Sequence, residues 1–113
     1  MITTLLKLLT RPTIPPRSPN QQATVDAASA GLTLFYFQTC PYCIKVRRVL
    51  RQLRLDLELR NISTSPANRL QLVQGGGKSM VPCLRIRRTD GSYEWLYESS
   101  AISQYLEHQF AGR

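Results

Sequence analysis

The stretch LTLFYFQTCPYCIKVRRVLRQL, residues 32–53, decides how the rest of the chain is read. Leu32 to Phe37 is an apolar, aromatic run of strand length. Gln38-Thr39-Cys40 then turns the chain into a helix. Pro41 suits the first helical position, where an N–H has no intrahelical acceptor and its loss costs nothing. Val46, Val49, Leu50 and Leu53 follow at i, i+3, i+4 and i+7, a stripe that faces a core. Arg47, Arg48, Arg51 and Arg54 fall mainly off that stripe.

Downstream, Leu55, Leu57 and Leu59 alternate with Asp56, Glu58 and Arg60, which is strand spacing. Ser65-Pro66 starts a second helix, with Leu70 and Val73 inward and Gly75-Gly76-Gly77 ending it. Val81 to Arg87 reads as a third strand, Asp90-Gly91 as a hairpin turn and Tyr93 to Tyr97 as a fourth strand. Ser99 or Ser100 caps a last helix whose inward stripe is Ile102, Tyr105, Leu106 and Phe110. The order strand, helix, strand, helix, strand, strand, helix begins with a β-α-β crossover, which requires parallel strands, and ends with an antiparallel hairpin. An α/β fold is expected, a mixed four-stranded sheet flanked by helices on both faces.

The 113 residues fit one domain, here placed at residues 32–113. Residues 1–31 read differently. An apolar cluster within Met1–Leu9, too short to span a bilayer, precedes Pro12, Pro15, Pro16 and Pro19. Such a run is an extended arm or leader, packed on the domain or trailing from it. No acidic residue occurs before Asp26, so targeting or weak membrane-surface association is the alternative. Ala28-Ser29-Ala30 is cleavage-like but too far from the apolar cluster for a standard signal peptide. Fifteen Lys and Arg against seven Asp and Glu give a formal charge of +8, which attracts anionic partners. Zinc-finger spacing, aromatic-basic RNA motifs and a basic zipper are all missing, so no nucleic-acid partner is expected.

Three cysteines is an odd count, which argues against a purely structural disulfide framework. Cys40 stands where strand gives way to helix, and free N–H groups with the positive end of the dipole favour a thiolate there. The thiolate is the species that attacks a disulfide, so Cys40 is the candidate nucleophile. Cys43, about one helical turn on, is the candidate resolving thiol. Lys45, Arg47 and Arg48 are either a basic rim favouring that thiolate or a solvated helix face. Metal binding stays open, because a C-x-x-C run also holds zinc or iron–sulfur centres. A closed zinc site needs four ligands, and His108 and Cys83 would have to converge on the pair from distant segments.

Cys40-Pro41-Tyr42-Cys43 resembles the dithiol active site of glutaredoxins. Met80-Val81-Pro82 resembles that family's Thr-Val-Pro segment, and Tyr97-Glu98-Ser99-Ser100 the Glu-Ser helix start of glutathione S-transferase N-terminal domains. The match runs from about Leu32 to Phe110 and is nearest to transferase-like glutaredoxins. It implies a thioredoxin-like fold and glutathione as cofactor. It further implies a cis Pro82 facing the active cysteine, Val81 pairing with glutathione through its backbone, and Glu98 and Ser99 holding the γ-glutamyl end. Tyr42 would pack beside the tripeptide. Phe37 stands where the family carries Lys or Arg, and Lys78 or Gln38 is the candidate replacement. Met80 loses the family's hydroxyl, and Cys83 reads as a small buried strand residue rather than a second reactive thiol. The expected activity is reduction of glutathionylated and disulfide-containing proteins by a cytoplasmic monomer. The alternative is an iron–sulfur or other metal-binding module using Cys40 with glutathione.

Overall fold

The computed structural model describes residues 14–112. The apolar cluster of Met1–Leu9 and Pro12 lie outside the described residues. From Ile14 the elements are α1 (Pro19–Ser29), β1 (Leu32–Tyr36), α2 (Pro41–Gln52), β2 (Glu58–Asn61), α3 (Pro66–Gly76), β3 (Cys83–Arg87), β4 (Tyr93–Tyr97) and α4 (Ser99–Phe110). The sheet order is β2-β1-β3-β4. β1 runs parallel to β2 and antiparallel to β3, and β3 pairs antiparallel with β4. The expected mixed four-stranded sheet is therefore the observed one.

Alternation along β1 and β3 divides the core into two layers. Leu32, Leu34 and Leu84 point to one face, where Val46, Val49, Leu50 and Leu53 of α2 meet Ile102, Leu106 and Phe110 of α4. Phe35 and Cys83 point to the other, under Leu72 of α3. The α2 stripe is buried throughout, and so is the α4 stripe except for a half-buried Tyr105.

Helix α1 is the element composition concealed. Its start is a capping box: Ser18 Oγ accepts from the Gln21 N–H at 3.2 Å, and the Gln21 side chain accepts from the Ser18 N–H at 3.1 Å. Val25 of α1 is 1% exposed within the larger core layer, and Ile14 packs against the same layer. Arg17 donates to the carbonyls of Arg54 and Phe110, tying this segment to the C-terminal ends of α2 and α4.

Several local expectations are corrected. β2 begins at Glu58 rather than Leu55, because Leu55 and Leu57 are buried in the connection before it. Leu59 is 43% exposed, since β2 is the edge strand of the sheet. On α3, Leu70 and Val73 are exposed and Leu72 is buried, so the inward side lies between the two positions expected. β3 starts at Cys83, after a cis Val81–Pro82 bond. α4 is capped by neither serine: Glu98 is the N-cap, and no side chain caps the helix.

The triple glycine also works differently from a simple terminator. Gly77 alone ends α3, at φ 87°, with its N–H on the Val73 carbonyl. Gly75 and Gly76 are helical, and a Cβ at either would overlap the Trp95 ring or the Tyr97 hydroxyl. They let α3 lie close on the aromatic residues of β4. Alanine at Gly75 raises helix propensity by about 1 kcal/mol, yet forcing its methyl into Trp95 costs about 1–3 kcal/mol. The expected outcome for Gly75→Ala is a lower urea midpoint. Gly112→Ala, with open space around it, is the control that leaves the midpoint in place.

Candidate functional site

Cys40 is the N-cap of α2, with extended backbone (φ −70°, ψ 119°) and Pro41 directly after it. This geometry aims the first free helical N–H groups at the cysteine side chain. The Cys43 N–H donates to Cys40 Sγ at 3.4 Å. Cys40 is 5% exposed and Cys43 fully buried, and both are free thiols. Burial pushes the Cys43 thiol up to about 12, and its hydrogen bond to the Cys40 sulfur pushes the same way. Cys43 thus keeps its proton and offers it to Cys40. Of the basic rim, Arg47 acts electrostatically on Cys43, as the weakest influence there and against the burial. Arg47 also stacks over Tyr36, 5.2 Å from the ring centroid.

Beside the helix start lies a groove of about 290 Å³. Its lining gathers Tyr42, Val81, Pro82, Glu98 and Ser99 from three separate segments, together with Met80 and Tyr97. Five of the eight sequence-derived site residues therefore share one surface. Cys40, Cys43 and Lys78 are not in its lining, which takes up Tyr42 from between the two cysteines. Lys78 is nevertheless tethered nearby, because Tyr97 Oη donates to its carbonyl at 3.0 Å and its Nζ lies 5.5 Å from the Tyr97 ring centroid. Burial, then Cys83, raises the Tyr97 phenol. Tyr97 is the lining residue the sequence reading passed over. Its signal was position: alternation puts it on the Trp95 side of β4, immediately before Glu98.

Glu98 ends the groove with a positive φ of 75°, a conformation that costs a non-glycine residue about 1–3 kcal/mol. The turn leaves the N–H groups at the start of α4 without a side-chain cap, and Ser99 occupies the first helical position. A carboxylate and an uncapped helix N-terminus stand side by side, a pairing that suits a ligand bearing both an ammonium and a carboxylate. Phe37, where a cation would be expected, packs instead against the Phe35, Ile62, Leu72 and Cys83 cluster. Cys83 is fully buried, and burial pushes its thiol up to about 11. His108 and Cys83 do not join the C-x-x-C pair: among the described residues no group of three or more His, Cys, Asp or Glu is arranged to hold a metal ion. No helix among them is long and apolar enough to cross a membrane.

A β-α-β unit carrying C-x-x-C at its first helix, followed by a cis-proline hairpin, defines a protein of the thioredoxin-like fold. Residues 34–113 match the glutathione S-transferase N-terminal domain, and the chain belongs to that family. No curated protein sequence matches. Among solved structures, the trimeric glutathione transferase TDR1 of Leishmania is 26% identical with a TM-score of 0.59, over 72% of this chain and 18% of that one. Maleylacetoacetate isomerase of Anaeromyxobacter dehalogenans, crystallised with dicarboxyethyl glutathione and citrate in its active site, is 26% identical with a TM-score of 0.56, over 74% and 39%. A thioredoxin-like protein shares the fold at 20% identity and a TM-score of 0.53, over 66% of this chain and 97% of its own. The chain spans less than half the length of the transferase and isomerase it resembles.

The two buried thiols make stability depend on pH. Each folded-state value, about 12 for Cys43 and about 11 for Cys83, lies above the ordinary 9.0. Above pH 9 the unfolded chain releases protons that the folded one retains, so unfolding is favoured as pH rises and the contribution is fully present below pH 9. The limiting slope is about 1.4 kcal/mol per pH unit for each thiol. Urea midpoints measured upward from pH 8 are expected to fall once pH passes that value. A Cys83→Ala variant should show a shallower decline.

Proposed function

We propose that this protein is a glutathione-dependent thiol–disulfide oxidoreductase of the dithiol glutaredoxin type. Cys40 is the nucleophile and Cys43 the resolving thiol. The observation that carries the reading is the asymmetry of the pair: the Cys43 N–H is directed at Cys40 Sγ, while burial keeps the proton on Cys43. One sulfur is supported as the attacking species and the other is held in reserve as a thiol. A conjugating transferase has no use for a second sulfur one turn behind the first.

In this reading Cys40 thiolate attacks the mixed disulfide at the glutathione sulfur. A new S–S bond forms to glutathione, and the target protein leaves as a thiolate that takes up a proton. A second glutathione thiolate attacks the adduct, regenerating Cys40 and releasing glutathione disulfide. With a protein disulfide, the adduct joins Cys40 to the target. Cys43 loses its proton and attacks Cys40, the reduced target departs, and two glutathione molecules then reduce the Cys40–Cys43 disulfide. The tripeptide occupies the groove. Its γ-glutamyl carboxylate sits on the uncapped N-terminus of α4 with Ser99, and its ammonium pairs with Glu98. Its cysteine backbone pairs with Val81 beside Pro82, against Tyr42. Lys78 supplies a cation for the glycine carboxylate by turning away from Tyr97. Residues 32–113 carry the activity, α1 packs against their larger core layer, and the protein works as a cytoplasmic monomer.

Cys40→Ser is expected to abolish reduction of a glutathionylated peptide in a glutathione-coupled assay. Cys43→Ser is expected to retain that reaction and lose reduction of protein disulfides. Equal loss of both in Cys43→Ser, or a Cys40→Ser protein that still turns over, would contradict the assignment. Formation of stable thioethers by Cys43→Ser would instead point to the transferase chemistry of the wider family.

A further inference from the structure

A second groove, of about 180 Å³, shares no lining residue with the first. Arg47 and Arg51 of α2 form one wall, and Leu55, Leu57 and Leu59 contribute apolar surface, with Asp56 the single acidic residue. Leu59 is 43% exposed, and β2, which carries it, is an edge strand that among the described residues pairs with β1 alone. An edge strand offers unpaired backbone groups to an extended segment. Among the described residues neither Arg47 nor Arg51 has a carboxylate partner: the ion pairs there are Arg60–Glu58 and Arg88–Glu94. Two uncompensated guanidinium groups over an apolar floor, beside an open edge, match a chain that alternates acidic and apolar side chains.

The groove is connected to the redox pair through α2. Arg47 lies four residues after Cys43, on the same side of the helix. At about 1.5 Å rise per residue, Arg47 and Arg51 stand about 10 and 16 Å along the helix from Cys40. An extended peptide advances about 3.3 Å per residue. Acidic residues about three to five positions from a substrate cysteine held at Cys40 would therefore reach the two arginines.

We propose that this groove docks an extended acidic-apolar segment flanking the reducible cysteine of a protein substrate. The inference rests on the oxidoreductase reading for its purpose, though not for its test. The extended segment lies in the groove between the arginine wall and the leucine floor, its acidic side chains meeting Arg47 and Arg51 and its apolar ones covering Leu59. Such a surface selects among protein substrates and leaves small disulfides, which do not reach it, indifferent.

The test is binding of a fluorescent peptide with Glu-Leu-Glu placed three residues after a serine that replaces the substrate cysteine, so that no reaction is needed. Arg51→Glu and Leu59→Thr are each expected to weaken binding about tenfold. Arg51→Glu should also reverse the preference between this peptide and its Lys-Leu-Lys counterpart, while both variants reduce the small mixed disulfide of glutathione and mercaptoethanol as the parent does. Equal affinity for the two peptides in the parent protein overturns the proposal, as does an Arg51→Glu protein that binds unchanged. Displacement of the peptide by a single-stranded oligonucleotide that itself depends on Arg51 and binds more tightly also overturns it, in favour of nucleic acid. Arg51-dependent peptide binding in a protein that reduces no disulfide upholds the docking surface and removes the oxidoreductase reading alone.

Discussion

The hydrogen bond from the Cys43 N–H to Cys40 Sγ is the contact around which the rest of this structure is arranged. It exists because a helix begins at Cys40, and the helix begins there because β1 ends at Tyr36 and Pro41 can only be a first-turn residue. β1 in turn is held at the centre of the sheet, with Leu34 and Phe35 fully buried on opposite faces. A strand fixed on both faces cannot slip in register without exposing one of them. The position of a single sulfur is thus set by two core layers, and the α2 stripe of Val46, Val49, Leu50 and Leu53 fixes the helix that supports it.

The same architecture explains where charge is left over. Most of α2's arginines project from the solvent side of the helix, since its inward stripe is wholly aliphatic. Few carboxylates face them, so the surface around the redox pair stays positive. In the proposed exchange a thiolate attacks the disulfide of a glutathione adduct that carries its own carboxylates, and a positive surround would offset that repulsion while drawing the anionic tripeptide toward the groove. The screening length of about 8 Å at physiological ionic strength confines this influence to residues near the site, Arg47 foremost.

Much of this was legible in the sequence, for identifiable reasons. The β1–α2 unit was readable because its signals are local and agree: an apolar run, a proline at the first helical turn, and a 3.6-residue stripe. The hairpin was readable from Asp90-Gly91, where Gly91 does take a positive φ of 87°. Reading failed where tertiary packing overrides local pattern. Leu59 alternates like a buried residue but lies on an edge strand, and strand order is not written in the strand itself. Leu70 and Val73 were assigned inward on spacing alone, whereas α3 turns Leu72 and its glycines toward the sheet so that Trp95 and Tyr97 can fit. The start of α1 was encoded in Ser18-x-x-Gln21 and was obscured by the surrounding prolines. For the groove, Tyr42, Val81, Pro82, Glu98 and Ser99 could be named in advance, but not that Tyr97 would join their lining and hold Lys78 at its rim.

Among the described residues two non-glycine residues hold positive φ, and comparing them separates structural necessity from function. Arg54, at 54°, ends α2: its N–H bonds the Arg51 carbonyl, its own carbonyl accepts from Arg17 and Gln22, and its Nε reaches the Ile14 carbonyl. Its N–H, carbonyl and Nε are all used by the fold, so the conformation is repaid by the contacts it makes. Glu98, at 75°, is different. Its carbonyl starts α4, but its side chain caps nothing, and the helix N–H groups it leads into have no side-chain acceptor. Straightening this residue would relieve about 1–3 kcal/mol. In the proposed glutathione reading, the γ-glutamyl end of the tripeptide would supply what the fold leaves unused at this turn: a carboxylate for the helix N–H groups and an ammonium for Glu98.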